Sequence, residues 1–284
     1  MGNFIELIKV FVIGIVEGIT EWLPISSTGH MLLFDEFLKI NIGPNPDIFS
    51  RLFIDVIQLG AILAVVFIFW HKMWPFGLDT NKKPVIKKDI FSMWFKVVVA
   101  CIPGAIATIL CKDQIDKYLN TPFVIAAALI VYGIAFIIIE DKNKNKNPSA
   151  QFLSEITYKH AFLIGLFQVL SIIPGTSRSG STIIGALLIG VSRKAAAEFT
   201  FFLAAPVMFG LSAIELLGYI LDFGITVTEL FMLGFGMLVA FTVSLIVIKF
   251  LMNYIRKHDF KVFGWYRIIL GIIVIIYFSI FAKQ

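Results

Sequence analysis

The chain has 284 residues, of which 58% are hydrophobic and only 15% are charged, and 29 are phenylalanine. A soluble domain of this composition would have too few polar side chains to cover its surface, so the sequence predicts a membrane protein. The net charge of +5 does not indicate nucleic-acid binding, because the basic residues cluster in short loops between apolar runs. Cys101 and Cys111 are ten residues apart without a CxxC pattern, which argues against a thiolate metal site or a disulfide framework.

Apolar runs long enough to cross a hydrocarbon core of about 30 Å recur along the chain. They are Phe53–Trp70, Phe91–Leu110, Phe123–Ile139, Phe199–Leu217, Leu230–Leu251 and Ile268–Phe281. Because unpaired backbone polar groups are too costly in lipid for open sheet edges, these runs predict an all-α fold. The expected architecture is a polytopic membrane helical bundle that forms a single domain over residues 1–284.

Three loops are rich in positive charge, namely His71–Lys88, Asp141–Lys159 and Asn253–Lys261. The positive-inside rule places them in the cytoplasm. When the spans are counted from these cytoplasmic loops, both ends of the stretch His160–Val191 lie on the same side of the membrane. This stretch must therefore enter the membrane and return to the side from which it came. If the N-terminus is outside, the opening stretch through Ile40 does the same from the other side. We therefore predict two re-entrant helix-loop-helix elements that approach from opposite leaflets.

An internal repeat agrees with this arrangement. "GIVEGITEWLPISSTG" begins at Gly14 and "GLFQVLSIIPGTSRSG" begins at Gly165. A one-residue gap pairs Pro24 with Pro174 and Ser27 with Ser177, within repeats of about 1–140 and 155–284. Inverted repeats with broken helices build the polar sites of many transporters, so the repeat alone does not choose between transport and catalysis.

The first break carries acids, hydroxyls and an imidazole. Glu17 and Glu21 are four residues apart, so they share one helix face, and either one carboxyl takes a proton or a cation lies between them. The alternative is a carboxylate that reaches water or pairs with a lysine. After Pro24, the "ISSTGH" segment offers a hydroxyl near His30, the minimum for activating a nucleophile, although its hydroxyls could also cap the next helix.

The second break, "PGTSRSGST", combines one arginine, five hydroxyls and two glycines at the expected start of a helix. Backbone N–H groups, hydroxyls and the Arg178 guanidinium together describe a phosphate cradle. A buried arginine needs an anion, and the alternative to phosphate is a structural ion pair with Glu21 or Glu17. Carboxylates beside a phosphate site also suit a divalent cation such as Mg²⁺ or Ca²⁺.

These two motifs resemble the signatures of the undecaprenyl-diphosphate phosphatases, also called the bacitracin-resistance family. "EGITEWLPISSTGH" is similar to the first signature and "PGTSRSGST" to the second, and the resemblance covers essentially the whole chain. It implies a bacterial plasma-membrane hydrolase that converts undecaprenyl diphosphate to undecaprenyl phosphate and inorganic phosphate. That product is the lipid carrier for peptidoglycan synthesis. The resemblance also implies a divalent metal and a site that opens to the outer leaflet.

The resemblance further implies a role for each motif residue. Glu17 and Glu21 would be the acidic pair and the metal ligands, Ser27 the nucleophile, His30 the proton carrier and Arg178 the phosphate clamp. The expected phosphate-binding residues are Ser26, Thr28, Gly175, Thr176, Ser177, Ser179, Gly180, Ser181 and Thr182. The sequence leaves open whether Ser27 or a water attacks, which metal binds, and whether the protein is a homodimer.

Two other functions compete with this interpretation. A transporter or flippase of a phosphorylated polyprenyl lipid would also need a phosphate cradle, but it has no need of Ser27 with His30. The phosphatidic-acid type of lipid phosphatase shares fragments such as "STGH" and "TSRSG". The sequence has no Lys-x₆-Arg-Pro element and no histidine at the required spacing after the arginine, so this second alternative is disfavoured.

Overall fold

The computed structural model describes residues 2–78 and 84–281, and α-helices make up most of them. In order, these helices are α1 (Gly2–Thr20), α2 (Ser27–Leu38), α3 (Pro46–Ile68), α4 (Trp70–Met73), α5 (Lys88–Tyr118), α6 (Pro122–Asn143), α7 (Tyr158–Val169), α8 (Arg178–Leu188), α9 (Arg193–Phe223), α10 (Val227–Tyr254) and α11 (Lys261–Ile280). Six of them (α3, α5, α6, α9, α10 and α11) are long and apolar enough to cross a membrane. The predicted all-α membrane bundle is confirmed, and the protein is a multi-pass membrane protein.

The six long helices overlap the predicted apolar runs, and four of them contain their run entirely, whereas the runs in α3 and α11 continue past the helix end by one or two residues. Helix α3 begins at Pro46 rather than Phe53, and α11 begins at Lys261 rather than Ile268. Helix α5 continues through a charged segment to Tyr118. Hydropathy marks the residues suited to lipid, whereas backbone hydrogen bonds and caps decide where a helix ends. The apolar runs therefore predicted where the membrane-spanning helices lie but not the residues at which they begin and end.

The first basic loop contains a small β-hairpin that the sequence did not predict. Strand β1 (Phe76–Leu78) pairs antiparallel with β2 (Pro84–Ile86), and Phe76 lies opposite Ile86. Two lysines of the predicted basic loop, Lys82 and Lys83, lie outside the described residues. The hairpin follows the short helix α4 and leads directly into α5.

The basic stretches meet at one end of the bundle. Lys72, just after α3, donates to both carboxylate oxygens of Glu198 in α9, at 2.9 and 3.0 Å. Arg193, at the start of α9, donates through Nε to both oxygens of buried Glu140 in α6, at 2.9 and 3.0 Å. Glu140 also accepts the backbone N–H of Phe260, just before α11. Ion pairs thus tie together the helix ends that carry the basic loops.

Two pairs of short helices surround the two breaks. In the first pair, Lys9 of α1 donates to the carbonyl oxygen of Lys39, just past α2, at 2.8 Å, so α2 returns toward the start of α1. In the second pair, α7 packs against α8, and the backbone N–H of Ser149 donates to the carbonyl of Gly190 at 2.8 Å. The approach of these pairs from opposite leaflets stays a prediction.

Glycines allow the long helices to approach closely. A Cβ atom at Gly60 of α3 would lie 2.1 Å from the carbonyl oxygen of Met237 in α10. Gly133 of α6 and Gly264 of α11 face each other, and a Cβ on either would lie 2.6–2.7 Å from the other's carbonyl oxygen. Small residues at such contacts let helix backbones pack by van der Waals contact within lipid. This close packing holds α3, α6, α10 and α11 around the two breaks.

We expect Gly60→Ala to destabilise the bundle by about 1–3 kcal/mol, the usual cost of overpacking a tight contact, because backbone atoms cannot move aside like a side-chain end. The measurement is thermal unfolding of the purified protein in detergent. Gly234→Ala on α10 is the matched control, since a Cβ there meets nothing within 4 Å. Equal melting temperatures for the two variants would contradict the close contact.

Candidate active site

The first break starts where α1 ends at Thr20, and it closes with a cap on α2. Ser26 has φ 73°, a region that non-glycine residues seldom adopt, and its hydroxyl accepts the backbone N–H of Gly29 at 3.3 Å. Ser26 is fully buried. One hydroxyl of the motif therefore caps the helix, as the alternative interpretation required, while Ser27 and Thr28 keep their hydroxyls for other contacts.

The second break ends with the same local structure. Ser177 has φ 70°, and its hydroxyl accepts the backbone N–H of Gly180 at 3.2 Å. Ser177 is thus equivalent to Ser26, and the predicted pairing of Ser177 with Ser27 is wrong by one position. A gap placed to align the two prolines displaced the serines. The corrected pairing makes Ser27 and Arg178, the first residues of α2 and α8, the equivalent positions.

Glu21 joins these two equivalent residues. The Ser27 hydroxyl donates to Glu21 Oε2 at 2.9 Å, and Arg178 Nη2 donates to Glu21 Oε1 at 3.2 Å. The backbone N–H of Glu21 bonds to the Glu17 carbonyl at 3.0 Å, so the two acids are one helical turn apart. Glu17 is buried and close enough to interact electrostatically with Glu21 and Arg178. Residues from two motifs about 150 positions apart therefore share one site.

The Arg178 guanidinium uses one terminal nitrogen for hydrogen bonds and leaves the other unpaired within the described residues. Its Nη2 serves Glu21 and, at 3.4 Å, the side-chain oxygen of Gln58 in α3. Its Nη1 is buried and has no hydrogen-bond partner within the described ranges. A buried donor without an acceptor costs about 1–3 kcal/mol, and more when it is charged. The ion pair with Glu21 is thus present, but it leaves a guanidinium N–H free to receive an anion.

Arg267 is a site residue that the sequence analysis missed. It is fully buried in α11, and its Nη2 donates to the carbonyl oxygens of Gly175 and Thr176, both at 2.9 Å. Its Nη1 donates to the carbonyl oxygen of Pro24 at 3.3 Å. One guanidinium therefore bonds to both breaks. The available signal was an arginine inside the apolar segment "WYRIILG", directly before the last predicted run at Ile268.

The glycines of the second break permit this convergence. Gly175 has φ 87°, and a Cβ there would lie 2.6 Å from the carbonyl oxygen of Ile125 in α6. A Cβ at Gly180 would lie 2.8 Å from Arg267 Nη1. Both positions therefore require glycine for backbone conformation or close approach, whatever their predicted contact with phosphate.

His30 lies in the first turn of α2, beside the first break, and its two ring nitrogens bond to neither Ser27 nor Glu21. Its Nδ1 lies 2.7 Å from the Ser26 carbonyl oxygen, and its Nε2 lies 2.7 Å from the hydroxyl of Tyr266 in α11. The imidazole is buried and its ring is nearly parallel to that of Tyr266. Tyr266, like Gln58, was not among the predicted site residues.

The other hydroxyls that were predicted to bind phosphate lie in different surroundings. Ser181 and Thr182 are fully buried and donate to the Arg178 carbonyl at 3.1 and 2.9 Å, so they stabilise the first turn of α8. Thr176 is also buried, whereas Thr28 is exposed. Ser179 lies in the site, with its hydroxyl 3.4 Å from the Glu21 carbonyl oxygen. Phosphate contact by these residues stays a prediction.

The donor set fits a cation that is shared with a ligand. Within residues 2–78 and 84–281, no group of three or more histidine, cysteine, aspartate or glutamate side chains forms a complete metal site. Glu17 and Glu21 nevertheless lie one turn apart beside Arg178. Mg²⁺ commonly uses one or two carboxylates together with substrate phosphates and water. The two acids therefore suit a metal that binds jointly with a phosphate.

Fold and site together define a multi-pass membrane protein with an acid, hydroxyl and guanidinium cluster at two helix breaks. Residues 10–273 match the family described as bacitracin resistance protein BacA, and the chain belongs to that family.

Three similar proteins align with this chain over nearly the whole length of both chains. An undecaprenyl-diphosphatase of Enterococcus faecalis is 62% identical over 274 residues, covering 96% of this chain and 98% of the relative. An undecaprenyl-diphosphatase of Lachnoclostridium phytofermentans is 60% identical, covering 97% and 98% of the two chains. That of Desulfitobacterium hafniense is 55% identical and covers 97% of each chain.

We expect Arg267→Met to lower both stability and activity, because it leaves carbonyl oxygens of both breaks without a donor. Each unsatisfied buried group costs about 1–3 kcal/mol. Thermal unfolding in detergent measures the loss, and Arg256→Met, at an exposed position past α10, is the control. An Arg267→Met protein as stable as the control would show that the arginine does not hold the breaks together.

Proposed function

We propose that this protein is a membrane phosphatase that hydrolyses undecaprenyl diphosphate to undecaprenyl phosphate and inorganic phosphate. The observation that carries the proposal is the Glu21 carboxylate, which accepts a hydrogen bond from Ser27 and an ion pair from Arg178. The named activity of relatives that are 55–62% identical over nearly the whole chain supports the same reaction. The polyprenyl tail stays in lipid, so only the diphosphate head group has to reach the breaks.

In the proposed reaction, the terminal phosphate binds at the free Nη1 of Arg178 and at the N-terminus of α8. Glu21 is placed to accept the proton of the Ser27 hydroxyl as the serine oxygen attacks phosphorus. The bond between phosphorus and the bridging oxygen breaks, and undecaprenyl phosphate leaves. Water then releases inorganic phosphate from the serine. In the second route, a water activated by Glu21 attacks directly, and Ser27 orients the carboxylate.

Charge neutralisation supplies most of the catalysis in phosphoryl transfer. The Arg178 guanidinium provides it from this chain, together with backbone N–H groups of the second break. Glu17 and Glu21 would hold a divalent cation, Mg²⁺ or Ca²⁺, which would offset negative charge on the diphosphate. His30 would carry the proton that the leaving oxygen requires.

The proposed location is the bacterial plasma membrane, with the site opening to the outer face. The basic loops meet at one end of the bundle, which the positive-inside rule assigns to the cytoplasm. The product would return as lipid carrier for peptidoglycan synthesis, and the same activity would confer the bacitracin resistance for which the family is named. A transporter would need Arg178 but not the hydrogen bond between Ser27 and Glu21.

We expect Glu21→Gln, Ser27→Ala and Arg178→Lys each to reduce phosphate release from a polyprenyl diphosphate by about 10²–10³-fold, because each removes a group aimed at the reacting phosphate. The assay uses purified protein in detergent, where release cannot be transport. Glu36→Gln and Arg51→Lys are the matched controls at exposed positions of α2 and α3. Wild-type rates in all three site variants would overturn the enzymatic assignment.

We expect a chelator to abolish phosphate release, and added Mg²⁺ or Ca²⁺ to restore it. In Glu17→Gln, the cation concentration needed for half-maximal rate should rise, because a neutral amide is a weaker ligand than a carboxylate. Glu6→Gln, in the same helix but bonded to Lys9, is the control. Full activity in excess chelator would exclude the metal and leave the arginine-based mechanism in place.

A further inference from the structure

The two hydrogen bonds of His30 determine where its proton lies. The Ser26 carbonyl oxygen can only accept, so the 2.7 Å contact requires a hydrogen on Nδ1. In the neutral ring Nε2 then carries a lone pair, and the Tyr266 hydroxyl donates to it at 2.7 Å. Each nitrogen therefore has one assigned role, set by its partner.

Tyr266 is held in place by its own ring contact and by the hydrogen bonds of the residue that follows it. Its ring lies nearly parallel to the imidazole, with an interplanar angle of 10° and 5.6 Å between ring centroids. The next residue, Arg267, bonds to the carbonyl oxygens of both breaks. Helix α11 is thus held against the site at the very turn that carries the phenol. Tyr266 as a residue is 44% exposed, as expected for a lipid-facing aromatic, but its hydroxyl bonds to a histidine that is only 7% exposed.

We propose that Tyr266 is a positioning residue that fixes the His30 imidazole and links its Nε2 to the reaction. The phenol passes its proton to Nε2 as its oxygen takes up another from the reacting groups, and the reverse movement returns it. This inference rests on the proposed function, in which His30 carries a proton. A phenol suits the task because its oxygen both donates and accepts. It donates to Nε2 when the ring is neutral and accepts from Nε2–H when the ring is protonated. The imidazole therefore keeps its orientation through both states.

A phenylalanine at this position would keep the ring contact and lose only the hydroxyl. We expect Tyr266→Phe to lower kcat for phosphate release by about 10–100-fold, the usual range for a residue that orients a catalytic group, with KM within twofold of wild type. Tyr277→Phe is the matched control, since Tyr277 lies on the same helix and packs its ring against Phe37 of α2. Its kcat should equal that of wild type.

A double-mutant cycle with His30→Ala separates positioning from a structural role. If Tyr266 acts only through His30, the double variant should be no slower than His30→Ala alone. An equal further loss in the His30→Ala background would overturn the inference, as would an unchanged kcat in Tyr266→Phe. If Tyr266→Phe is fully active while His30→Ala is slow, the inference fails and the proposed function stands. If the Glu21 and Arg178 variants are also fully active, the proposed function itself fails.

Nitrogen NMR of the protein labelled with [¹⁵N]histidine gives a readout that does not depend on activity. The chain has four histidines, and the His30 signals are those lost in His30→Ala. The wild type should show a protonated Nδ1 and a hydrogen-bonded, unprotonated Nε2. Tyr266→Phe should shift the Nε2 resonance, whereas Tyr277→Phe should not. A wild-type signal with the proton on Nε2 would overturn the assignment.

Discussion

Two helices are interrupted inside an apolar bundle, and the satisfaction of their free backbone groups is the constraint on which the site depends. No water reaches such groups in a hydrocarbon layer, so each must find a partner within the protein. Ser26 and Ser177 supply acceptors for the N–H groups of α2 and α8. Arg267 supplies donors for carbonyl oxygens of both breaks at once. The breaks are therefore bound to each other.

Glu21 joins the two breaks through its side chain. Its carboxylate lies where the first residues of α2 and α8 meet, and it bonds to Ser27 with one oxygen and to Arg178 with the other. An ion pair of this kind positions both partners, since a buried charge without a counter-charge is strongly unfavourable. Because Arg178 Nη1 has no hydrogen-bond partner among the described residues, the pair fixes the guanidinium and leaves it one donor for the proposed phosphate.

The equivalence of Ser27 and Arg178 follows from the same geometry. Both residues begin a helix immediately after a capping serine in an unfavourable backbone conformation. Strain of this type persists where the surroundings enforce it, commonly at functional sites. The same local turn thus places the candidate nucleophile at one break and the proposed phosphate clamp at the other, and both side chains bond to Glu21.

The sequence by itself determined the membrane bundle and its six spans, because the hydropathy of a segment is a local property. It also determined the residues of both motifs, because charged side chains such as Glu21 and Arg178 are costly within an apolar segment and therefore indicate function. It could not locate Arg267 or Tyr266, which lie beside the last apolar run and act on residues more than 90 positions away. It also paired Ser177 with the wrong serine. Those contacts depend on how α11 packs against the breaks, and only the tertiary structure decides such long-range packing.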